Sequence, residues 1–144
     1  MLLPDVNVCV HAIAPHTSAD AGRVRGWLDR ALVGDEAVGF SELVLSAMIR
    51  ISTSPRVFVK PAAPHQAVEF ADALLAAPAA VVVRPGPRHW QVFSRLVTAN
   101  RLRGHDVPDA YLAGIAMEAG AHLATLDRGF RRFDGLRTVD PLDP

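Results

Sequence analysis

Residues 107–127 read VPDAYLAGIAMEAGAHLATLD, and this stretch decides the fold class. Asp106 can cap a helix from Val107 to Ala119, and Gly120 suits its end. The run His122-Leu123-Ala124-Thr125-Leu126 then reads as a strand that delivers Asp127 at its carboxyl end. A helix feeding directly into a short apolar strand is one unit of an α/β fold.

Working outward, the same alternation fills the chain. Residues 2–5 read as a short buried strand, Asn7 to Ala14 as a brief helix ending at Pro15, and Ser18 to Leu32 as a helix carrying Ala21, Val24, Leu28 and Leu32. Gly34 and Asp35 mark a turn before a second strand at 36–40, and Ser41 can cap a helix to about Ile51, with Leu43, Ala47 and Arg50 spaced along it. Pro55, Pro61 and Pro64 make the next segment loop-like. A helix fits 65–77, and Val81-Val82-Val83 reads as a buried strand stopped by Pro85-Gly86-Pro87. His89 to Arg101 is helical, with Trp90, Phe93, Leu96 and Val97 on one face, and a weak last strand lies near 136–139. The expectation is one α/β domain over 1–144: a central parallel sheet of four or five strands flanked by helices in three α/β/α layers.

Composition narrows the function. Half of the 144 residues are apolar and 21% are charged, enough to fold around a real core. Fifteen basic and fifteen acidic residues cancel, so a nucleic-acid partner would be held by local patches rather than by the field of the whole molecule. The single cysteine, Cys9, reads as buried packing and cannot form an internal disulfide. With no basic leader and no apolar run that reaches the roughly 20 residues of a membrane span, a soluble protein of the reducing cytoplasm is expected.

Four acids fall where an open α/β sheet binds ligands, beyond the carboxyl ends of its strands. Asp5, Glu42 and Asp127 each follow a strand-like run, and Asp109 opens the helix before the last of these. Each has a local explanation: Asp5 and Asp127 can form turns, Glu42 can offset a helix dipole, and Asp109 can serve as the acidic partner of an Asp106 cap. Together they would repel one another unless a positive charge sat between them. An all-oxygen site without clustered Cys or His selects a hard cation such as Mg²⁺ or Mn²⁺, and such a cation suits phosphodiester hydrolysis.

The chain resembles a known family at these points. Leu2-Leu3-Pro4-Asp5-Val6-Asn7, Phe40-Ser41-Glu42-Leu43-Val44-Leu45, Val107-Pro108-Asp109-Ala110-Tyr111-Leu112-Ala113 and Leu123-Ala124-Thr125-Leu126-Asp127-Arg128-Gly129-Phe130 are similar to the four acidic motifs of PIN-domain ribonucleases, specifically the VapC toxins of toxin–antitoxin pairs. Pro87-Arg88-His89-Trp90 and Arg128-Gly129-Phe130-Arg131-Arg132-Phe133 are similar to segments of a mycobacterial-type branch. The resemblance implies a metal-dependent endoribonuclease held inactive by a cognate antitoxin, acting as a homodimer that joins its antitoxin in a hetero-oligomer, with no membrane partner. It implies Mg²⁺, replaceable by Mn²⁺, held by Asp5, Glu42, Asp109 and Asp127, and a metal-bound hydroxide attacking the scissile phosphate. Asn7 and Thr125 would orient Asp5 and Asp127. Many relatives carry a further aspartate two residues after the last acid. Gly129 stands there, so the number of metals stays open, with Asp106 as a substitute or, more simply, a cap.

Among the remaining polar residues, Arg101, Arg103, Arg128, Arg131 and Arg132 can track an RNA backbone or sit on a solvated face, and His105 adjoins the third motif. His11, His16 and His65 read as surface or loop residues, His89 as a cap or a neighbour of Trp90, and Trp27 and Trp90 as core or dimer contacts. Competing activities fit less well. A haloacid-dehalogenase-type phosphatase needs an aspartate where Asn7 stands, and a receiver domain needs a late lysine, whereas Lys60 is the only lysine. A metal-dependent DNA nuclease and a catalytically silent PIN-like binding module keep the same fold.

Overall fold

The computed structural model describes residues 1–143; the last residue of the expected 1–144 domain lies outside them. Five short strands, β1 (Leu2–Pro4), β2 (Val38–Phe40), β3 (Ala80–Val82), β4 (His122–Ala124) and β5 (Arg137–Val139), form one parallel sheet in the order β3-β2-β1-β4-β5. Six helices connect them: α1 (Val6–Ile13), α2 (Ala19–Leu32), α3 (Glu42–Ser52), α4 (Pro64–Leu75), α5 (His89–Ala99) and α6 (Val107–Glu118). The chain steps one way from β1 to β3 and then crosses back to β4. Right-handed crossovers therefore put α1–α4 on one face and α5–α6 on the other. The packing agrees, since α1 meets α2 and α3, α3 meets α4, and α5 meets α6.

Local chemistry explains the boundaries. Ser18 accepts the Ala21 N–H and Ser41 the Leu43 N–H, each satisfying a donor at a helix start. Gly120, at φ 64°, takes the left-handed conformation that ends α6, and Ala121 N–H returns to the Ala116 carbonyl at 2.8 Å. The core is the sheet interior, with Leu3, Val38, Phe40 and Leu123 fully buried against Val24, Leu28, Val44 and Met48. In α3 the buried residues are Val44, Leu45, Met48 and Ser52, while Leu43 and Arg50 are exposed.

Three expectations need correction. The valine run is an edge strand, and Val81 and Val82 are 42% and 45% exposed because only β2 pairs with it. Trp90 is 72% exposed, so α5 buries His89 and Leu96 but not the indole, which removes the core alternative for Trp90 and not the dimer one; Trp27 does belong to the core. Asp106 stands at the cap position of α6 in helical backbone and makes no side-chain cap, because a 3₁₀ turn at Gly104–Asp106 already leads into the helix. Cys9 is buried as expected, and burial pushes its thiol up to about 12. Among the described residues, no helix is long and apolar enough to cross a membrane.

The β3–α5 connection is clamped from below. Glu118, the last residue of α6, accepts the Gly86 and Arg88 N–H groups at 2.8 Å each. A Cβ on Gly86 would stand 2.6 Å from Glu118 Oε1, so glycine is what lets the carboxylate approach.

Candidate active site

The order β3-β2-β1-β4-β5 reverses direction between β1 and β4, and the crevice beyond those two strand ends is where ligands bind in open α/β sheets. Asp5 leaves β1 there as the N-cap of α1, and Asp127 follows β4 as the N-cap of a 3₁₀ turn at Arg128–Arg132. Asp109 comes to the same place on the first turn of α6. All three line one hollow of about 560 Å³, together with Asn7 and His105.

Asp5 is the anchor. Its side chain caps Val6 N–H at 2.6 Å through Oδ1, while Oδ2 accepts from Asn7 Nδ2 at 2.9 Å and Thr125 Oγ1 at 2.8 Å. The Thr125 hydroxyl also accepts the Asp127 N–H at 3.0 Å, and Asn7 Oδ1 accepts the Leu126 N–H at 3.3 Å. Asn7 and Thr125 thus tie the two strand ends together and fix both acids. Asp5 is only 6% exposed, and burial pushes its carboxyl up to about 6. The Thr125 and Val6 hydrogen bonds oppose that rise, and the charges of Asp109 and Asp127 add to it. Asp109 is raised as well, first by burial, with Arg132 opposing and Asp127 and Asp106 adding.

Two arginines hold acids that the sequence places in the cluster. Arg132 Nη2 meets Asp109 Oδ2 at 2.8 Å and Nη1 lies 3.5 Å from Asp106, so Arg132 serves the acids instead of tracking a backbone. Glu42 is not among the three. Its carboxylate pairs with Arg84 at 2.8 Å and lines the neighbouring groove, not the hollow of Asp5. That pair is 64% and 66% exposed, so it is worth only about 0–1 kcal/mol and yields easily to a stronger partner. Arg84 was missed in the sequence reading, although its place just after β3 puts it on the ligand edge of the sheet.

Arg128 and Arg131 line a separate recess with Asp127 and Asp140, Arg103 is exposed, and the His105 side chain is 96% exposed at the rim. His89 neither caps nor packs on Trp90: it is buried, its ring meets Phe93 and Tyr111, and Nε2 lies 2.9 Å from the Tyr111 carbonyl. Gly129 N–H donates to Asp127 Oδ1 at 2.7 Å and brings no further carboxylate.

The donor set suits a hard cation. Three carboxylates face one hollow, one of them buried, and each like charge makes a positive ion more welcome. As the side chains stand, with Asp109 on Arg132 and Glu42 on Arg84, no three His, Cys, Asp or Glu groups among the described residues converge to grip an ion.

Comparison with known proteins agrees with this architecture. Residues 2–136 match the PIN domain family. Ribonuclease VapC43 of Mycobacterium tuberculosis is 45% identical over 143 residues, covering 99% of this chain and 97% of its own length. Among solved structures, Mycobacterium tuberculosis VapC20, described as a sarcin-ricin loop cleaving toxin, superposes with a TM-score of 0.65 at 18% identity, covering 95% of this chain and 99% of its own. A toxin–antitoxin complex from Klebsiella pneumoniae contains a chain with a TM-score of 0.61 at 15% identity and full coverage of both.

Proposed function

This chain belongs to the PIN-domain family, among its VapC ribonucleases, and from that premise we propose that it is the toxin of a toxin–antitoxin pair, a single-domain Mg²⁺-dependent endoribonuclease over residues 1–144. The observation that carries the reading is Asp5: a buried carboxylate, held by three hydrogen bonds, facing two further acids across one hollow. Burying a charge beside like charges costs stability, and a structural cap would need none of it.

Asp5, Asp109 and Asp127 would hold the divalent cation, Mg²⁺ or Mn²⁺ in its place, and Glu42 would join them on leaving Arg84. When bound, the cation supplies Lewis-acid charge at the scissile phosphate and makes water a better nucleophile. The chain's own groups do the rest. Thr125 and Asn7 keep Asp5 in one orientation and favour its ionised form against burial. Arg132 holds Asp109 at the mouth of the hollow, and the exposed Arg103, His105 and Arg128 meet the RNA backbone around it.

The relatives' names support RNA as substrate, and the Klebsiella complex supports a cognate antitoxin as partner in a hetero-oligomer. A toxin homodimer and a cytoplasmic location belong to the same proposal and rest on the family resemblance and the sequence alone. The experiment is cleavage of total RNA with Mg²⁺, with Mn²⁺ and with chelator, beside the Asp5→Asn variant. Discrete fragments that need both metal and Asp5 are expected. Cleavage that persists in Asp5→Asn, or a folded protein that cuts DNA but no RNA, would refute it.

A further inference from the structure

Beside the carboxylate hollow lies a groove of about 410 Å³ that the acids do not explain. Leu43 and Pro108 line both concavities, so the two adjoin. The groove is largely apolar, with Phe93 from α5 and Tyr111 from α6 meeting at 5.5 Å between ring centroids and 67° between planes. Among the described residues its charged lining groups are Arg84 and Glu42, which hold each other.

We propose that this groove is a base-binding subsite that takes one unpaired nucleotide of the RNA beside the cut. The base lies against Phe93 and Tyr111, and Arg84 meets that nucleotide's phosphate. This deepens the nuclease reading and rests on it.

Three observations support this occupant. A nucleobase has apolar faces and a polar edge, and unstacked bases of single-stranded RNA are recognised on aromatic side chains with arginine nearby. Arg84 is spoken for only by Glu42, across an exposed and therefore weak pair. A pair this exposed exchanges readily, so the Arg84 guanidinium can leave Glu42 for a nucleotide's phosphate with or without a cation, a partner that an uncharged peptide side chain would not supply. Finally, the walls are fixed in advance. Glu118 clamps the Pro85-Gly86-Pro87 segment through two N–H groups, and His89 pins α5 to the Tyr111 carbonyl. A preformed wall lets a small ligand bind without first ordering a loop.

The test is an NMR titration of the protein in chelator, where no cleavage occurs, with AMP, GMP, CMP, UMP and ribose 5-phosphate at millimolar concentrations. At least one nucleotide is expected to shift the Phe93 and Tyr111 amides about tenfold more tightly than ribose 5-phosphate, the size of one stacking contact. Tyr111→Leu is expected to erase that preference, and Arg84→Gln, at an exposed position, to weaken the nucleotide while leaving the fold intact. Groove amides that ignore every nucleotide, or that respond equally to ribose 5-phosphate, would overturn the subsite and leave the groove to a protein partner. Because the titration needs no catalysis, a silent groove with metal-dependent cleavage intact removes the subsite alone. Nucleotide binding in a protein that cuts no RNA supports the subsite and removes the nuclease.

Discussion

Replacing Asp5 by Asn measures the electrostatic load on the site. The Asp5 carboxyl is raised from 3.8 to about 6, mainly by burial. At roughly 1.4 kcal/mol per pH unit, that shift costs the metal-free protein about 3 kcal/mol once Asp5 is ionised. The sign follows from proton binding: the folded chain holds this proton more tightly than the unfolded chain does. The proton's stabilisation is therefore full below pH 3.8 and is lost as pH rises through about 6. About half of the loss falls between about pH 5 and about pH 7.5. Asparagine cannot ionise and lacks this slope. It also offers one acceptor where three donors, Val6 N–H, Asn7 and Thr125, converge on two, so an orphaned donor costs about 1–3 kcal/mol at every pH. Urea unfolding of both proteins in chelator, from about pH 5 to about pH 7.5, is expected to show Asp5→Asn gaining about 1.4 kcal/mol on the wild type across the range. Parallel curves would refute the premise that burial loads Asp5.

Adding Mg²⁺ at neutral pH is expected to raise the wild-type Tm, by about 2.7 kcal/mol of stabilisation at a hundredfold excess over Kd, and to leave Asp5→Asn unmoved; equal shifts would put the ion elsewhere. Thr125→Val removes the hydroxyl that serves both Asp5 and the Asp127 N–H, so a loss of about 1–3 kcal/mol in stability and about 10–100-fold in cleavage rate is expected. A rate within about twofold of wild type would deny Thr125 its orienting role. In Gly129→Ala a Cβ would stand 2.9 Å from Asp127 Oδ1, so that carboxylate must turn. Calorimetry is expected to show Mg²⁺ affinity falling on the order of tenfold, and an unchanged Kd would remove Asp127 from the ligand set. Gly39→Ala would bring a Cβ to 2.6 Å from Val83 Cγ2 inside the sheet, and urea unfolding is expected to show a loss of about 1–3 kcal/mol.

The alternation of elements was legible because each helix carries its own signals, such as Ser18, Ser41 and Gly120, and each strand its own apolar run. What local signals cannot carry is the neighbour. Val81-Val82-Val83 has the composition of a central strand, and only the sheet order makes it an edge. Trp90 keeps helical spacing with Phe93 yet faces outward, since spacing defines a stripe but not what covers it. In the site, the strand-end rule found Asp5 and Asp127, and Asp109 followed from the helix start before β4. The partners of the acids were less visible. Arg84 and Glu42 are 42 residues apart, Arg132 and Asp109 are 23 apart, and nothing in either local sequence announces the pairing. The Thr125 contact to Asp5 spans 120 residues and has no local signal either; the roles of Asn7 and Thr125 in orienting Asp5 and Asp127 entered only through the family resemblance.

Strand β1 sits in the middle of the sheet, and its register with β4 sets Leu3 opposite Leu123, joining the first strand to one near the far end of the chain. Contacts this remote in sequence bear a loop-closure entropy that the local contacts of a helix do not. Until β4 docks, Asp5 lacks the Thr125 hydroxyl, and Asp109 and Asp127 stand apart in water. A partly folded chain therefore carries scattered carboxylates and no catalytic centre. On the reading proposed above, activity requires the β1–β4 pairing. Transient release of the β4–β5 edge would silence the nuclease while β1, β2 and β3 remain paired, and hydrogen exchange should record that opening as a unit separate from global unfolding.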